Sequence, residues 1–186
     1  MVLVIAAVGI SGSGKTTTLE YLISQFSAKG CRVGAVKHIH HVDFSIDKAG
    51  TNTWRFAQAG AGLVVAVSPR EIDIIKKTNQ EPPDLDKILR LLQDENLDIA
   101  FIEGFHGLIA QRQDIIKVVT AKDQADLKST LQLIKPPIAA ITGLVTQNSN
   151  EPIFWGIPLV KVPKEGGKLV ELIDRERNQK KQDKTS

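Results

Sequence analysis

The residues best suited to chemistry lie near the N-terminus, in a glycine-rich segment that ends in Lys and Thr. Residues 9–16 read Gly-Ile-Ser-Gly-Ser-Gly-Lys-Thr, which matches the G-x-x-x-x-G-K-[ST] pattern of a phosphate-binding loop, or P-loop. Its glycines let backbone N–H groups point at phosphate oxygens, Lys15 brings a charge to the β- and γ-phosphates, and the Thr16 hydroxyl suits Mg²⁺. The helix expected from Lys15 adds its N-terminal dipole. The segment therefore predicts a triphosphate site.

A second acidic group is expected at the end of another strand. Residues 98–103 read Asp-Ile-Ala-Phe-Ile-Glu, and this apolar run predicts a central strand. Glu103 would stand at the C-terminal end of the strand, where ligands bind in open α/β sheets. We expect Glu103 to hold Mg²⁺ through water or to orient an attacking water, and Gly104 to let the γ-phosphate approach. Asp98, at the other end, is interpreted as structural.

A cluster of histidines follows the second predicted strand. His38, His40 and His41 are accompanied by Asp43 and Asp47. Imidazole suits Zn or Ni, although the spacing matches no strong tetrahedral pattern. The sequence leaves three interpretations open, namely a transition-metal site, a solvated polar turn and a contact to nucleotide or substrate, and it favours the contact.

The segment at residues 47–50 reads Asp-Lys-Ala-Gly, the D-x-x-G form of P-loop switch segments. In such segments the Asp reaches Mg²⁺ through water and the Gly amide meets the γ-phosphate. Asp47 is therefore a candidate metal contact. Arg55, on the helix predicted next, is either an anion contact or a solvated helix charge.

Strands and helices that could position these groups alternate along the chain. The apolar, β-branched run at residues 2–8 is typical of a strand buried on both faces. Leu19, Leu22, Ile23 and Phe26 fall on one face of a helix. Further strands are predicted at 32–37, 62–68, 71–77, 98–103, 115–120, 138–142 and 159–162, and helices at 15–29, 51–60, 85–92, 123–134 and 167–177. The alternation predicts an α/β fold, a P-loop NTPase-type three-layer sandwich with a mostly parallel central sheet.

Composition limits the class of protein. The 186 residues are 42% hydrophobic, which is enough for one domain with its own core. The pI is about 9.0, but five basic and three acidic residues of the last 13 account for most of the excess charge. We therefore predict a domain at 1–173 with a polar, flexible tail at 174–186. The nearly neutral body, without interleaved aromatic and basic residues, argues against a nucleic-acid partner.

Other features argue against a membrane or secreted protein. The early apolar run is far shorter than the roughly 20 residues of a membrane helix, and it lacks the pattern of a signal peptide. Cys31 is the single cysteine and cannot form an internal disulfide, which fits a reducing compartment. The sequence thus predicts a soluble, cytoplasmic protein.

The joint pattern resembles the MobB family of molybdopterin-guanine dinucleotide biosynthesis adaptors. The matching segments appear in family order at residues 9–18, 36–41, 47–50, 59–61 and 102–105. The Val-Lys-His segment with its histidine pair, followed by Glu-Gly-Phe, is much more particular than the P-loop. The resemblance implies a GTP-binding homodimer with weak intrinsic hydrolysis, and the P-loop residues imply Mg²⁺ as the cofactor. Such a protein assists the guanylyltransferase that joins GMP to molybdopterin.

The motifs and the resemblance together imply roles for individual residues. Lys15 and Glu103 would take part in catalysis, and Thr16, Asp47 and Glu103 would lie at the metal. Lys37, His38 and Gly104 would lie near the nucleotide or substrate. The phosphates would be held by Gly9, Ser11, Gly12, Ser13, Gly14, Lys15, Thr16 and Thr17.

The chain departs from the family pattern at two places. His106 stands where the family has Lys after Glu-Gly-Phe, and residues 50–53 read Gly-Thr-Asn-Thr where an acidic residue is usual. An Asn-Lys-x-Asp motif, with which many GTPases read guanine, is absent from the sequence. Guanine specificity is therefore implied by the resemblance alone.

Two other functions remain open from the residues. A small-molecule P-loop kinase would need an Arg-rich lid, for which the region around Arg112 is the candidate. A nickel or zinc metallochaperone GTPase would use the histidine cluster.

Overall fold

The structure is a computed structural model that describes residues 2–41, 43–78, 84–147 and 149–182. The chain forms two compact units, one made of the residues up to His38 and from Leu85 onward, the other of Ile39–Asp84. The strands are β1 (Leu3–Val8), β2 (Val33–Lys37), β3 (Leu63–Val67), β4 (Ile72–Lys76), β5 (Ile99–Glu103), β6 (Ile116–Thr120), β7 (Ile138–Thr142), β8 (Ile153–Phe154) and β9 (Ile157–Pro158). The helices are α1 (Lys15–Ala28), α2 (Asn52–Gln58), α3 (Leu85–Asp94), α4 (His106–Ile109), α5 (Gln124–Leu133), α6 (Leu144–Gln147) and α7 (Gly166–Gln182).

The first unit is built on a parallel sheet. In the described part of the chain this sheet has five strands in the order β2-β5-β1-β6-β7. Strand β1 is central and pairs with β5 on one side and β6 on the other. The register places Ala7 opposite both Glu103 and Val118. The carboxyl ends of β1 and β5 therefore meet at one edge of the sheet.

Helices cover both faces of this sheet. Side chains alternate between the faces along β1, because successive residues of a strand point in opposite directions. Leu3, Ile5 and Ala7 join one buried cluster, which contains residues of α1 and α7. Ala6 and Val8 join the other, which contains residues of α3, α4 and α5. The predicted α/β three-layer sandwich is confirmed.

The second unit, Ile39–Asp84, contains α2 and a separate antiparallel pair, β3 and β4. Both strands and the helix are predicted from the sequence, and the antiparallel pair lies outside the parallel sheet. One face of the pair is apolar and exposed. This hairpin face consists of Leu63, Val65, Val67, Ile72 and Ile74.

The structure differs from the sequence prediction near the C-terminus. Residues 159–162 form no regular strand. Leu159 makes an isolated bridge to Ile141, and the Val160 N–H donates to the Ile141 carbonyl at 2.9 Å. The segment therefore contacts β7 without forming a continuous ladder with it.

Helix α7 runs across residue 174, where the sequence predicts the start of a flexible tail. Asp174 forms ion pairs with Lys29 and Arg177. The guanidinium of Arg177 lies 5.9 Å from the centre of the Phe26 ring. These contacts hold the polar side of the helix against α1. Among the described residues, every helix is too short or too polar to cross a lipid bilayer.

Candidate functional site

The P-loop connects β1 to α1, as the sequence predicts. Gly9 must be a glycine, since a Cβ there would lie 2.0 Å from the Thr120 carbonyl oxygen. The Ser13 side chain is buried. Its hydroxyl lies 2.6 Å from that of Thr120 and donates to the Ile10 carbonyl at 2.8 Å. The loop is therefore anchored to β6 through Thr120, a residue that the sequence analysis missed.

Lys15 lies at the centre of the loop. Its ammonium group donates to the carbonyls of Gly9 at 2.9 Å and Ile10 at 2.6 Å, and the residue is only 8% exposed. Burial lowers the pKa of Lys15 below the usual lysine value, and the negative charge of Glu103 partly opposes this effect. The loop thus holds a buried amine whose hydrogen-bond partners belong to the loop itself.

Glu103 brings together two other predicted site residues. The Thr16 hydroxyl donates to Glu103 Oε2 at 3.0 Å, and the Lys37 ammonium forms an ion pair with Oε1. The parallel register places Lys37 directly opposite Glu103. Burial raises the pKa of Glu103, but hydrogen bonds from Lys37 and Thr16, and the charges of Lys37 and Lys15, outweigh it and lower the pKa overall. Glu103 is therefore a buried, charged carboxylate.

His38 and Gly104 form the wall beside Glu103. The backbone N–H of His38 donates to the backbone carbonyl of Glu103 at 2.8 Å. The His38 ring stacks on the Phe105 ring with 4.2 Å between ring centres. Gly104 has a φ of 103°, and a Cβ there would lie 2.5 Å from the Cβ of His38. Gly104 thus allows the close approach of His38, and its contact with the γ-phosphate stays a prediction.

Asp47 belongs to the second unit, where its carboxylate accepts hydrogen bonds. The donors to Oδ1 are the hydroxyls of Thr51, at 2.9 Å, and Thr53, at 2.8 Å. Thr51 also caps helix α2 by accepting from the Trp54 N–H. The two threonines come from the segment that departs from the family pattern. Within the described residues, no three or more His, Cys, Asp or Glu side chains are placed to hold a metal.

The remaining loop positions are exposed, and a lysine that the sequence analysis missed lies next to them. Ser11, Gly12 and Thr17 are open to solvent. A Cβ on Gly12 would lie 3.3 Å from the Cε of Lys122. Lys122 also lines an opening of about 480 Å³ with Leu144 and other residues. The available signal was its position two residues after the end of β6, because β6 adjoins the strand that carries the P-loop.

Arg112, the candidate lid residue of a kinase, is engaged elsewhere. Its guanidinium pairs with Asp114 and Asp86, both at 2.6 Å. The hydrogen bonds to these carboxylates raise the pKa of Arg112. The three side chains link the segment after α4 to helix α3.

Comparison with known proteins identifies the family. Residues 4–141 match the family model described as Molybdopterin guanine dinucleotide synthesis protein B. The chain belongs to the MobB family. Crystal structures bear out the fold: MobB of Bacillus subtilis superposes with a TM-score of 0.70 at 22% identity, covering 91% of this chain and 97% of that chain. A MobB homologue from Bacillus stearothermophilus superposes with a TM-score of 0.67 at 22% identity, over 94% and 98%.

Relatives named molybdopterin-guanine dinucleotide biosynthesis adapter protein agree with this assignment to MobB. The Escherichia coli K12 protein is 30% identical over 149 residues, which are 80% of this chain and 82% of that protein. The Haemophilus influenzae Rd protein is 33% identical over 121 residues, 62% of this chain and 67% of that protein. The resemblance drawn from the sequence is confirmed.

Proposed function

We propose that this protein is a cytoplasmic, GTP-binding adapter in molybdopterin guanine dinucleotide biosynthesis, with slow GTP hydrolysis. The observation that carries the proposal is the P-loop with its buried Lys15, in a chain of the MobB family. The names of the relatives support the pathway. The partner would be molybdopterin or the guanylyltransferase that acts on it.

The P-loop supplies the contacts for a triphosphate. Gly14, with a φ of 104°, precedes the first residue of α1, so the backbone N–H groups of the helix start face the loop. The Lys15 ammonium would exchange the carbonyls of Gly9 and Ile10 for phosphate oxygens. Phosphate oxygens share a negative charge, so they attract the Lys15 ammonium more strongly than the neutral carbonyls of the loop do.

Thr16 and Glu103 fit a Mg²⁺ ion. Mg²⁺ prefers hard oxygen donors, and the hydroxyl and carboxylate of these residues lie 3.0 Å apart. The expected metal contact of Asp47 stays a prediction from the sequence. A bound Mg²⁺ would neutralise charge on the phosphate oxygens. Glu103, whose pKa is lowered by Lys37 and Thr16 in the protein without nucleotide, would orient the attacking water as a carboxylate.

The guanine base would occupy the opening beside Lys122. This opening lies next to the P-loop, because Lys122 approaches Gly12. Its volume of about 480 Å³ suits a group the size of a nucleoside. Asp123 and Asn150, also on its lining, offer hydrogen-bonding side chains where an Asn-Lys-x-Asp motif is absent.

The homodimer is supported by the hairpin face. An isolated two-stranded hairpin is marginally stable in water, and this one exposes a row of aliphatic side chains. If the hairpin face of one chain packed on the hairpin face of a second copy, both apolar faces would be buried. The proposed assembly is therefore a symmetric dimer through β3 and β4.

Titration calorimetry with GTP and ATP, each with and without Mg²⁺, tests the proposal. Lys15→Ala should abolish triphosphate binding, because it removes the cation at the centre of the loop. Lys128→Ala, at an exposed position on α5, is the matched control and should bind as the parent does. Normal GTP binding by Lys15→Ala would refute the phosphate assignment, and much tighter binding of ATP than of GTP would refute the guanine assignment.

A further inference from the structure

A cleft of about 580 Å³ opens beside the P-loop in the first unit. It is lined by residues 8–11, at the end of β1 and the start of the loop, and by parts of residues 106–111 and 130–134. These last two segments belong to α4 with the turn after it and to the end of α5. We refer to this space as the α4–α5 cleft.

The walls of the α4–α5 cleft are fixed to one another. The Gln111 side-chain amide donates to the Leu133 carbonyl at 3.0 Å. The Lys135 N–H donates to the Ala110 carbonyl at 2.8 Å. Ala110 and Ile134 also contact the buried cluster on this face of the sheet. A ligand would therefore meet a preformed pocket, which lowers the entropic cost of binding.

The cleft is mainly apolar, and two of its side chains have no role in the core. Ile10 is 48% exposed and Leu133 is 69% exposed. An isoleucine side chain adds nothing to phosphate binding, which uses N–H groups and Lys15. Exposed apolar side chains gathered in one concave site are typical of a ligand pocket.

Polar groups on the same walls restrict the ligand. Ser11, His106, Gln111 and Thr130 line the cleft together with the aliphatic residues. None of these side chains is a permanent charge, so the cleft favours a neutral ligand. A flat ring with apolar faces and hydrogen-bonding groups along its edge matches this combination.

We propose that the α4–α5 cleft binds a planar heteroaromatic ring of the pterin class beside the triphosphate. Gly9, Ile10 and Ser11 belong both to the P-loop and to the cleft, so the two ligands would lie side by side. The inference rests on the proposed function, since the family description names a dinucleotide that contains a pterin and a guanine nucleotide. The cleft would thus hold the pterin-bearing substrate.

Fluorescence titration of the full chain with 6-hydroxymethylpterin, with and without GTP and Mg²⁺, tests the inference. Gly107→Trp should fill the cleft, because a Cβ at Gly107 meets no atom within 4 Å. Leu133→Glu should place a charge on its apolar wall. Each variant should weaken pterin binding about tenfold or more, which corresponds to the loss of one good apolar contact, while GTP binding stays unchanged.

Leu108→Glu is the matched control. Leu108 is 49% exposed on the same helix and does not line the cleft, so this variant should bind pterin as the parent does. Circular dichroism and thermal melting show whether each variant is folded, and either cleft variant suffices if the other fails to fold.

The outcomes separate this inference from the proposed function. Saturable pterin binding that the folded cleft variants weaken supports the inference, whether or not GTP binds. Pterin binding that is unaffected by the folded cleft variants overturns it, because the ring then binds elsewhere. A parent protein that binds GTP but not the pterin, with or without nucleotide, overturns the inference and leaves the proposed function intact.

Discussion

Replacement of Glu103 by glutamine tests whether an ionised carboxylate holds the site together. The variant keeps the shape of the side chain and an oxygen that can accept from Thr16, but it removes the negative charge. Lys15 and Lys37, whose positive charges both act on Glu103, then lose the negative charge that they face in the parent protein. We expect Glu103→Gln to fold and to be less stable than the parent near neutral pH.

The size of the effect follows from the exposure of the two partners. The Glu103 side chain is 11% exposed, but that of Lys37 is 53% exposed, so solvent screens part of the attraction. A pair of this kind contributes about 0.5–1.5 kcal/mol, between an exposed ion pair and a buried hydrogen bond to a charged group. For a chain of this size the melting temperature should fall by about 1–6 °C.

The pH dependence has a definite sign. The folded state lowers the pKa of Glu103, so its contribution to stability is fully present above the pKa of the unfolded chain. That contribution is lost as the pH falls through the lower pKa of the folded state. The difference in stability between parent and Glu103→Gln should therefore be largest near neutral pH and should close in acid.

Differential scanning calorimetry of the parent and of Glu103→Gln measures this difference in stability. The pH should run from about 7 down to about 3, because this range spans the ordinary carboxyl pKa values. Glu20→Gln, at an exposed position on α1, controls for the loss of one negative charge. A difference between parent and Glu103→Gln that stays constant or grows toward acid would refute the reasoning, because an ionised Glu103 would then not be its source.

Three further predictions concern other parts of the molecule. Gly104→Ala should lower the free energy of unfolding by about 2–4 kcal/mol, because the new Cβ brings backbone strain and a clash with His38. Gly60→Ala should cost less, because Gly60 has a similar φ of 108° but open space around it. Equal costs in denaturant titrations of the two variants would exclude the clash. Lys117→Met should be as stable as the parent or more stable, because burial lowers the pKa of this fully buried lysine and so makes its charged form unfavourable in the folded state. The gain in stability over the parent should grow as the pH falls and the lysine of the parent becomes charged. A strong loss of stability in thermal melts would contradict this. Val65→Asp should convert the proposed dimer to monomers in light-scattering measurements, and a persistent dimer would exclude the hairpin face.

The meeting of Lys37, Thr16 and Glu103 could be predicted because it follows from local patterns and one topological rule. The P-loop fixes the place of Thr16, and two apolar runs end at Lys37 and Glu103. Parallel strands in an open sheet bring their carboxyl ends to one edge. The pairing of β2 with β5 in register then completes the contact.

Other parts of the site could not be predicted, because they depend on contacts between distant segments. The hydroxyls of Ser13 and Thr120 meet only through the register of β1 with β6. Helix α4 has four residues, too few to show a helical period. The α4–α5 cleft depends on this helix and on the bonds that join it to the end of α5, so no sequence pattern marks it.

The geometry around Glu103 indicates which contact would change when a nucleotide binds. The Thr16 hydroxyl can keep donating its proton to Glu103 Oε2 while its oxygen faces a cation, since a hydroxyl has one proton and two lone pairs. The Lys37 ammonium has no lone pair and would be repelled by a cation at that carboxylate. Its side chain is half exposed and therefore free of the packing that would hold it in place. Lys37 is thus the group expected to leave Glu103 for a phosphate oxygen, which would couple strand β2 to the nucleotide.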